Sequence, residues 1–294
     1  MSNATENTIG VGDVAVARVD ELVLPTSIRW LLPDAPRDVV EQTFDWLKPN
    51  FANEDGYLLQ SIHTFVIRAS GLTILVDTGV GNDKPRGGGI PAFNMLSTPF
   101  IQRLADAGVE PDAVDFVVCT HVHSDHVGWN TRLVDGEWVP TFPRARYLCA
   151  RPEWEYWSSV EDEEATQQLL DDSMYPIRDA GLLDLVATDH RLCDEVWLEP
   201  SHGHTPGHVS VRIESAGNSA VMIGDVLHNP LQCALPELRP ALDRDEGPAR
   251  EARLEVLNRY ADSGTLVFGA HFHAPSAGWV SRSGDAFKFT SFEL

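Results

Sequence analysis

The chain reads as an α+β protein in which two β-sheets pack face to face with helices outside, and three observations lead there. Short β-rich runs come in clusters, at residues 14–19, 63–69, 73–77, 115–120, 146–149, 209–213, 220–224, 265–268 and 286–289. Helical patterns fall between only some of these runs, which argues against one alternating parallel sheet. The 294 residues, 43% of them hydrophobic, can bury a substantial core, and no internal repeat or low-complexity linker marks a boundary. A single domain over residues 1–294 is expected.

Along the chain, residues 1–12 are polar and are expected to fray as a tail. Residues 13–60 form an N-terminal extension ahead of the main run of strands. TPFIQRLADA at 98–107 opens on Thr with Pro in the first turn and runs into Gly108, the start and stop signals of a helix. Segments 152–157 and 163–171 have helical patterns and lie in an insertion at 150–186. Within it, RPEWEYW puts Trp154, Tyr156 and Trp157 on one short helix, where core packing is a better expectation than a pocket wall. Segment 247–261 carries Leu254, Val256 and Leu257 at helical spacing.

Composition limits the partners. The formal net charge is −22, so nucleic acid and anionic membrane surfaces are disfavoured. No run of about 20 apolar residues suits a bilayer span. MSNATENTIGVGD has no basic stretch followed by an apolar one, as a secretory signal would. The four cysteines, Cys119, Cys149, Cys193 and Cys233, form no CxxC pair and fit reduced, buried thiols. A cytoplasmic location is expected. An apolar arm, LVLPTSIRWLL, suits packing on a second subunit as a homodimer.

The chemistry is concentrated at 120–130, THVHSDHVGWN, where three histidines and an aspartate occupy six positions behind the apolar run VDFVVC. Divalent transition ions take imidazole nitrogens and carboxylate oxygens from several converging segments. On an extended strand end His121 and His123 point the same way, and Asp125 and His126 turn toward a neighbouring position. A histidine-rich surface turn is the plainer reading of one isolated histidine, but not of HxHxDH placed directly after a strand. Further ligand types stand at later strand ends: His204 in SHGHTPGH, Asp225 ending AVMIGD and His271 ending VFGAH. An aspartate after VMIG is costly to bury without a positive partner, and a metal supplies one.

In this order HVHSDH, GHTPGH, IGD and GAH, with LVDTG at 75–79 upstream, resemble the metallo-β-lactamase superfamily over about residues 60–275. The resemblance implies a four-layer αββα sandwich, two mixed β-sheets flanked by helices, with a two-metal site at the sheet edge. It implies that His121, His123 and His204 hold one ion, that Asp125, His126 and His271 hold a second, and that Asp225 bridges both. Zinc is the first expectation, with Mn, Fe or Co also suited to these ligands. Asp77 is expected to accept a hydrogen bond from a ligating imidazole. His208 and His273 are set aside as ligands by position and are expected to line the pocket or bond to backbone. His63, His190 and His202 are expected to be structural or solvent-facing.

Two such ions lower the pKa of a shared water and polarise the bond under attack, so hydrolysis is the expected reaction class. There is no GxSxG elbow. Antibiotic-hydrolysing members carry Cys or Ser at the bridging position, where this chain has Asp225, which counts against a dedicated β-lactamase. VDELVLPTSIRWLLPDAP (19–36) and FNMLSTPF (93–100) resemble the extension and pocket loop of the group containing lactonases and organophosphate hydrolases. In lactonases of that group a tyrosine three residues after the bridging aspartate polarises the substrate carbonyl; here His228 stands there. The expectation is lactone opening or cleavage of a related ester on a small, uncharged and partly apolar substrate, with Asp125 and His228 catalytic. Trp129, Trp30 and Phe93 are expected to line the pocket. Phosphotriester hydrolysis on the same site and iron-dependent thiol or persulfide oxygenation are the alternatives.

Overall fold

The computed structural model describes residues 8–36, 38, 44–86, 90–161 and 163–293. Two mixed sheets face each other. The first has seven strands in the order β1 (Thr8–Val11), β2 (Val14–Thr26), β3 (Leu58–Ala69), β4 (Leu72–Val76), β5 (Phe116–Cys119), β8 (Arg146–Ala150) and β9 (Leu183–Val186). A separate hairpin, β6 (Thr131–Val134) with β7 (Glu137–Pro140), lies in sequence between β5 and β8. The second sheet follows chain order: β10 (Val196–Pro200), β11 (Val209–Ser215), β12 (Asn218–Met222), β13 (Leu266–Phe268), β14 (Ala277–Ser283) and β15 (Ala286–Ser291).

Alternation along the strands builds the layers, because successive side chains point to opposite faces. Val14 and Val16 of β2, Phe65 and Ile67 of β3, Val211 and Ile213 of β11, and Ala220 and Met222 of β12 meet in one buried cluster between the sheets. The outer face of the first sheet buries Val66, Leu75 and Val117 against Phe100 and Leu104 of the helix Phe100–Asp106 and Trp157 of the helix Arg151–Ser158. The outer face of the second buries Val221 and Val267 against Val256 and Leu257 of the helix Glu246–Tyr260. The αββα order of layers expected from the sequence is the one observed.

Several local expectations are corrected. The expected tail at 1–12 is a strand from Thr8, because Ile9 and Val11 point inward and pair with Val16 and Val14; residues 1–7 lie outside the described residues. The strand expected at 14–19 in the extension is longer, since β2 runs to Thr26 along β3. The helix expected at 163–171 ends at Leu169 and passes into a π-turn, Leu170–Met174. In the arm, Leu31 and Leu32 are buried inside the chain, while Trp30 is exposed.

That π-turn carries a buried charge network. The Lys84 ammonium donates to Thr131 Oγ1 and the Asp172 carbonyl, both at 2.8 Å, and lies 3.3 Å from Asp172 Oδ1. Arg86 makes two bonds to the same carboxylate, at 2.6 and 2.7 Å. Burial pulls the Lys84 ammonium down to about 7, against the attraction of Asp172. Removing one member of such a group strands the other charges in a medium that solvates them poorly. Asp172→Ala is expected to lower the unfolding free energy by about 3–5 kcal/mol in chemical denaturation at neutral pH.

Candidate metal centre

Parallel pairing decides where the polar residues gather. β4 and β5 run parallel, so Asp77 and His121, which follow them, emerge on one edge. In the other sheet β12 and β13 run parallel, so Asp225 and His271 emerge together. The turn from β10 into β11 adds His204. Carboxyl ends of parallel strands are the usual place for a site in such sheets.

The seven residues expected as ligands converge in two groups, His121, His123, His204 and Asp225 in one and Asp125, His126 and His271 in the other, and a third group, Asp225, His228 and His271, overlaps both. In the first, His123 Nδ1 lies 3.0 Å from both His121 Nε2 and His204 Nε2. Asp225 Oδ2 stands 3.7 Å from His121 Nε2 and 3.4 Å from His204 Nε2. In the second, His126 Nε2 and His271 Nε2 are 3.3 Å apart, and Asp125 oxygens lie 3.8 and 3.6 Å from them. Asp225 Oδ1 faces this group, at 3.3 Å from His126 and 3.2 Å from His271. His271 Nε2 is also 3.2 Å from Asp225 Oδ2, so this one carboxylate lies between the two groups.

The donor set fits divalent ions. Four donors at 2.0–2.1 Å around a tetrahedral ion stand roughly 3.3–3.4 Å from one another, a value inside the range of 3.0 to 3.8 Å seen here. Asp225 Oδ1 is buried and, among the described residues, makes no well-directed hydrogen bond although the His126 and His271 nitrogens lie 3.3 and 3.2 Å away, an arrangement a cation would satisfy. Burial, reinforced by the neighbouring imidazoles, holds His121 and His123 well below the usual histidine range, so their lone pairs are free at neutral pH. Burial also disfavours the imidazolium of His126 and of His271, but Asp225 and other carboxylates outweigh it and raise both. Burial opposes ionisation of Asp225, yet His126, His271, His228 and His121 together keep it well below its ordinary range.

Hydrogen bonds fix the rings from behind. Asp77 Oδ2 is 2.9 Å from His126 Nδ1, and Asp77 also accepts from the amide and hydroxyl of Thr120. Asp243, which the sequence reading missed, lies 2.9 Å from His204 Nδ1 and pairs with Arg253. His271 Nδ1 is 3.2 Å from the Ser61 carbonyl. His208 stands outside both groups and bonds to backbone, its Nε2 accepting from the Asp225 amide at 3.0 Å. Gly224, at φ +50°, has no space for a side chain there: a Cβ would lie 2.4 Å from that nitrogen. His273 bonds to the Asn50 carbonyl, His63 packs on Phe65, and His202 is exposed.

Two chambers open onto the centre. A largely apolar one of about 400 Å³ is walled by Leu24, Trp30, Ile62 and Phe93 and reaches Asp125, His228 and His271. A more polar one of about 800 Å³ includes His123, Asp125, Trp157, Glu163 and Arg244. Trp30 and Phe93 therefore stand where the sequence suggested. Trp129 does not line either chamber: it is buried, stacked on Phe100, and its indole N–H donates to Glu21 at 2.7 Å. Trp157, expected in the core, is both core and chamber wall. His228 is buried with its Nε2 3.3 Å from Asp225 Oδ2, and its Nδ1 has no hydrogen-bond partner among the described residues.

The family model of the metallo-beta-lactamase superfamily matches residues 59–271, and the chain belongs to that superfamily. It is similar to an N-acyl homoserine lactonase of Bacillus sp, 24% identical over 160 residues, covering 51% of this chain and 57% of the relative. A second relative is the N-acyl homoserine lactonase AiiB of Agrobacterium fabrum (strain C58 / ATCC 33970), 27% identical over 131 residues and 42% of each chain. The chain thus spans about half the length of the curated relatives it matches. Among solved structures it resembles the hydrolase AbOPH, at 22% identity, and AidC, a dizinc quorum-quenching lactonase bound to its product, at 20%. Each superposes with a TM-score of 0.80 over 98% of this chain and 97% of the other, a likeness of fold.

Elemental analysis of metal-replete protein is expected to find about two divalent ions per chain. Asp225→Ala is expected to lower that number, and stripping the ions with a chelator to lower the thermal midpoint, because ligands that bind only the folded state stabilise it.

Proposed function

We propose that the chain is a metal-dependent hydrolase using two divalent ions, zinc foremost, to open the ring of an acylated lactone or cleave a related ester. The observation that carries this reading is the apolar chamber ending on Asp125, His228 and His271. The lactonase relatives support it. When bound, the ions acidify a water and polarise the acyl carbonyl.

The chain's own groups supply the rest. His121, His123 and His204 would hold one ion, Asp125, His126 and His271 the other, and Asp225 would bridge them. Leu24, Trp30, Ile62 and Phe93 bind the apolar acyl portion and exclude water from it. His228, which lines the apolar chamber, donates to the carbonyl oxygen as charge develops there. Asp125 lies at the junction of the two chambers. Its carboxylate orients the water, takes its proton and returns it to the oxygen leaving the ring. The scattered cysteines support a cytoplasmic location for this activity.

A panel of N-acyl homoserine lactones, aryl esters and phosphotriesters tests the proposal on metal-replete protein, with oxygen uptake on thiols as a control for the oxygenase alternative. Lactone or ester turnover abolished by chelation is expected; if neither class reacts, the reading is wrong. His228→Ala is expected to reduce kcat on the order of 10²–10³-fold with the ions retained, the usual effect of losing one donor to a developing oxyanion.

A further inference from the structure

Glu153 lies in the helix Arg151–Ser158 with its side chain fully buried, and none of the roles above uses it. Its Oε1 accepts from the Val122 amide at 2.8 Å and from the Trp157 indole N–H at 2.7 Å. Its Oε2 accepts from the Thr205 hydroxyl and the Gly207 amide, both at 2.8 Å. Val122 sits between His121 and His123, and Thr205 directly follows His204. The Trp157 ring packs edge-on against His123 with centroids 5.3 Å apart. Val122 and Thr205 therefore adjoin members of the first group, Trp157 packs on one and Gly207 lies in the same turn as His204, while none of the four is a sequence neighbour of Asp125, His126 or His271.

We infer that Glu153 is a positioning residue that fastens the loop of His121 and His123 to the turn of His204 and so sets the affinity of the first ion site. The inference rests on the metal reading proposed above. An uncompensated carboxylate is expensive in the interior, so this one is held where its four donors can reach it. Burial pushes its carboxyl above the ordinary range, and the four donors work against that push. Contact between helix and turn is equally tight in the backbone: a Cβ on Gly207 would lie 2.1 Å from the Glu153 nitrogen. The helix thus acts as a splint across two loops that belong to different sheets. Outer hydrogen bonds of this kind fix ligand direction and commonly alter metal affinity by about 10–100-fold.

The test is a zinc titration of the full chain against a competing chelator, comparing wild type with Glu153→Gln. The amide keeps the volume but turns an NH₂ toward donors on one side. One of the two binding steps is expected to weaken by about 10–100-fold while the other stays unchanged. The cobalt-substituted protein should show altered visible absorption from the same ion. Thr205→Val removes one bond and keeps the shape, and roughly a 2–10-fold loss at that same step is expected. It decides the matter alone if Glu153→Gln does not fold. Two wild-type affinities and an unchanged cobalt spectrum, with only a lower melting temperature, would overturn the inference and leave the metal reading standing. Wild-type protein that binds no ion would overturn both.

Discussion

The structure is organised around one buried carboxylate. Asp225 is 3% exposed and is ringed by imidazoles, with His121, His204 and His228 near Oδ2, His126 near Oδ1 and His271 near both. A charge in that position must be met by positive partners or it would unfold its surroundings. The topology meets the demand, because each sheet contains a parallel pair whose ends open on the same rim. Sheet order and site chemistry are therefore one constraint seen at two scales.

A second layer of carboxylates keeps the first in place. Asp77 links the Thr120 backbone to His126, Asp243 links Arg253 to His204, and Glu153 spans the two loops of the first group. Glu21 does similar work farther out. It lies at the register shift of β2 and accepts from the amides of Val80 and Gly81 and from the Trp129 indole. The acidic balance of the chain is thus partly an interior property, with Asp77, Asp243, Glu153 and Glu21 each held by donors rather than by lysines or arginines alone.

Much of the centre was legible in the sequence because its ligands come as short clusters at strand ends, where spacing and residue type speak together. HVHSDH shows four of the seven at once. Glu21, Glu153 and Asp243 were not legible, since each is a lone acid whose partners lie far away along the chain; only its burial distinguishes it from the other acids. Trp129 misled for the same reason. Its neighbours suggested the pocket, but a buried indole needs an acceptor, and Glu21 supplies one on the core side. The layers were legible from clustered strands, whereas β1 was hidden by the polar residues before it, and the π-turn had no periodic signal to declare it.

The Lys84–Asp172–Arg86 network ties the loop after β4 to the π-turn of the insertion. That loop leads on to Ile90 and Phe93, which wall the apolar chamber, while the insertion carries Glu163 and Leu169 of the polar one. Loop and insertion therefore form one inheritable module. A chimaera that imported a foreign insertion without its matching loop would maroon an ammonium and a guanidinium in the interior, so the two segments keep their charges paired only when exchanged together.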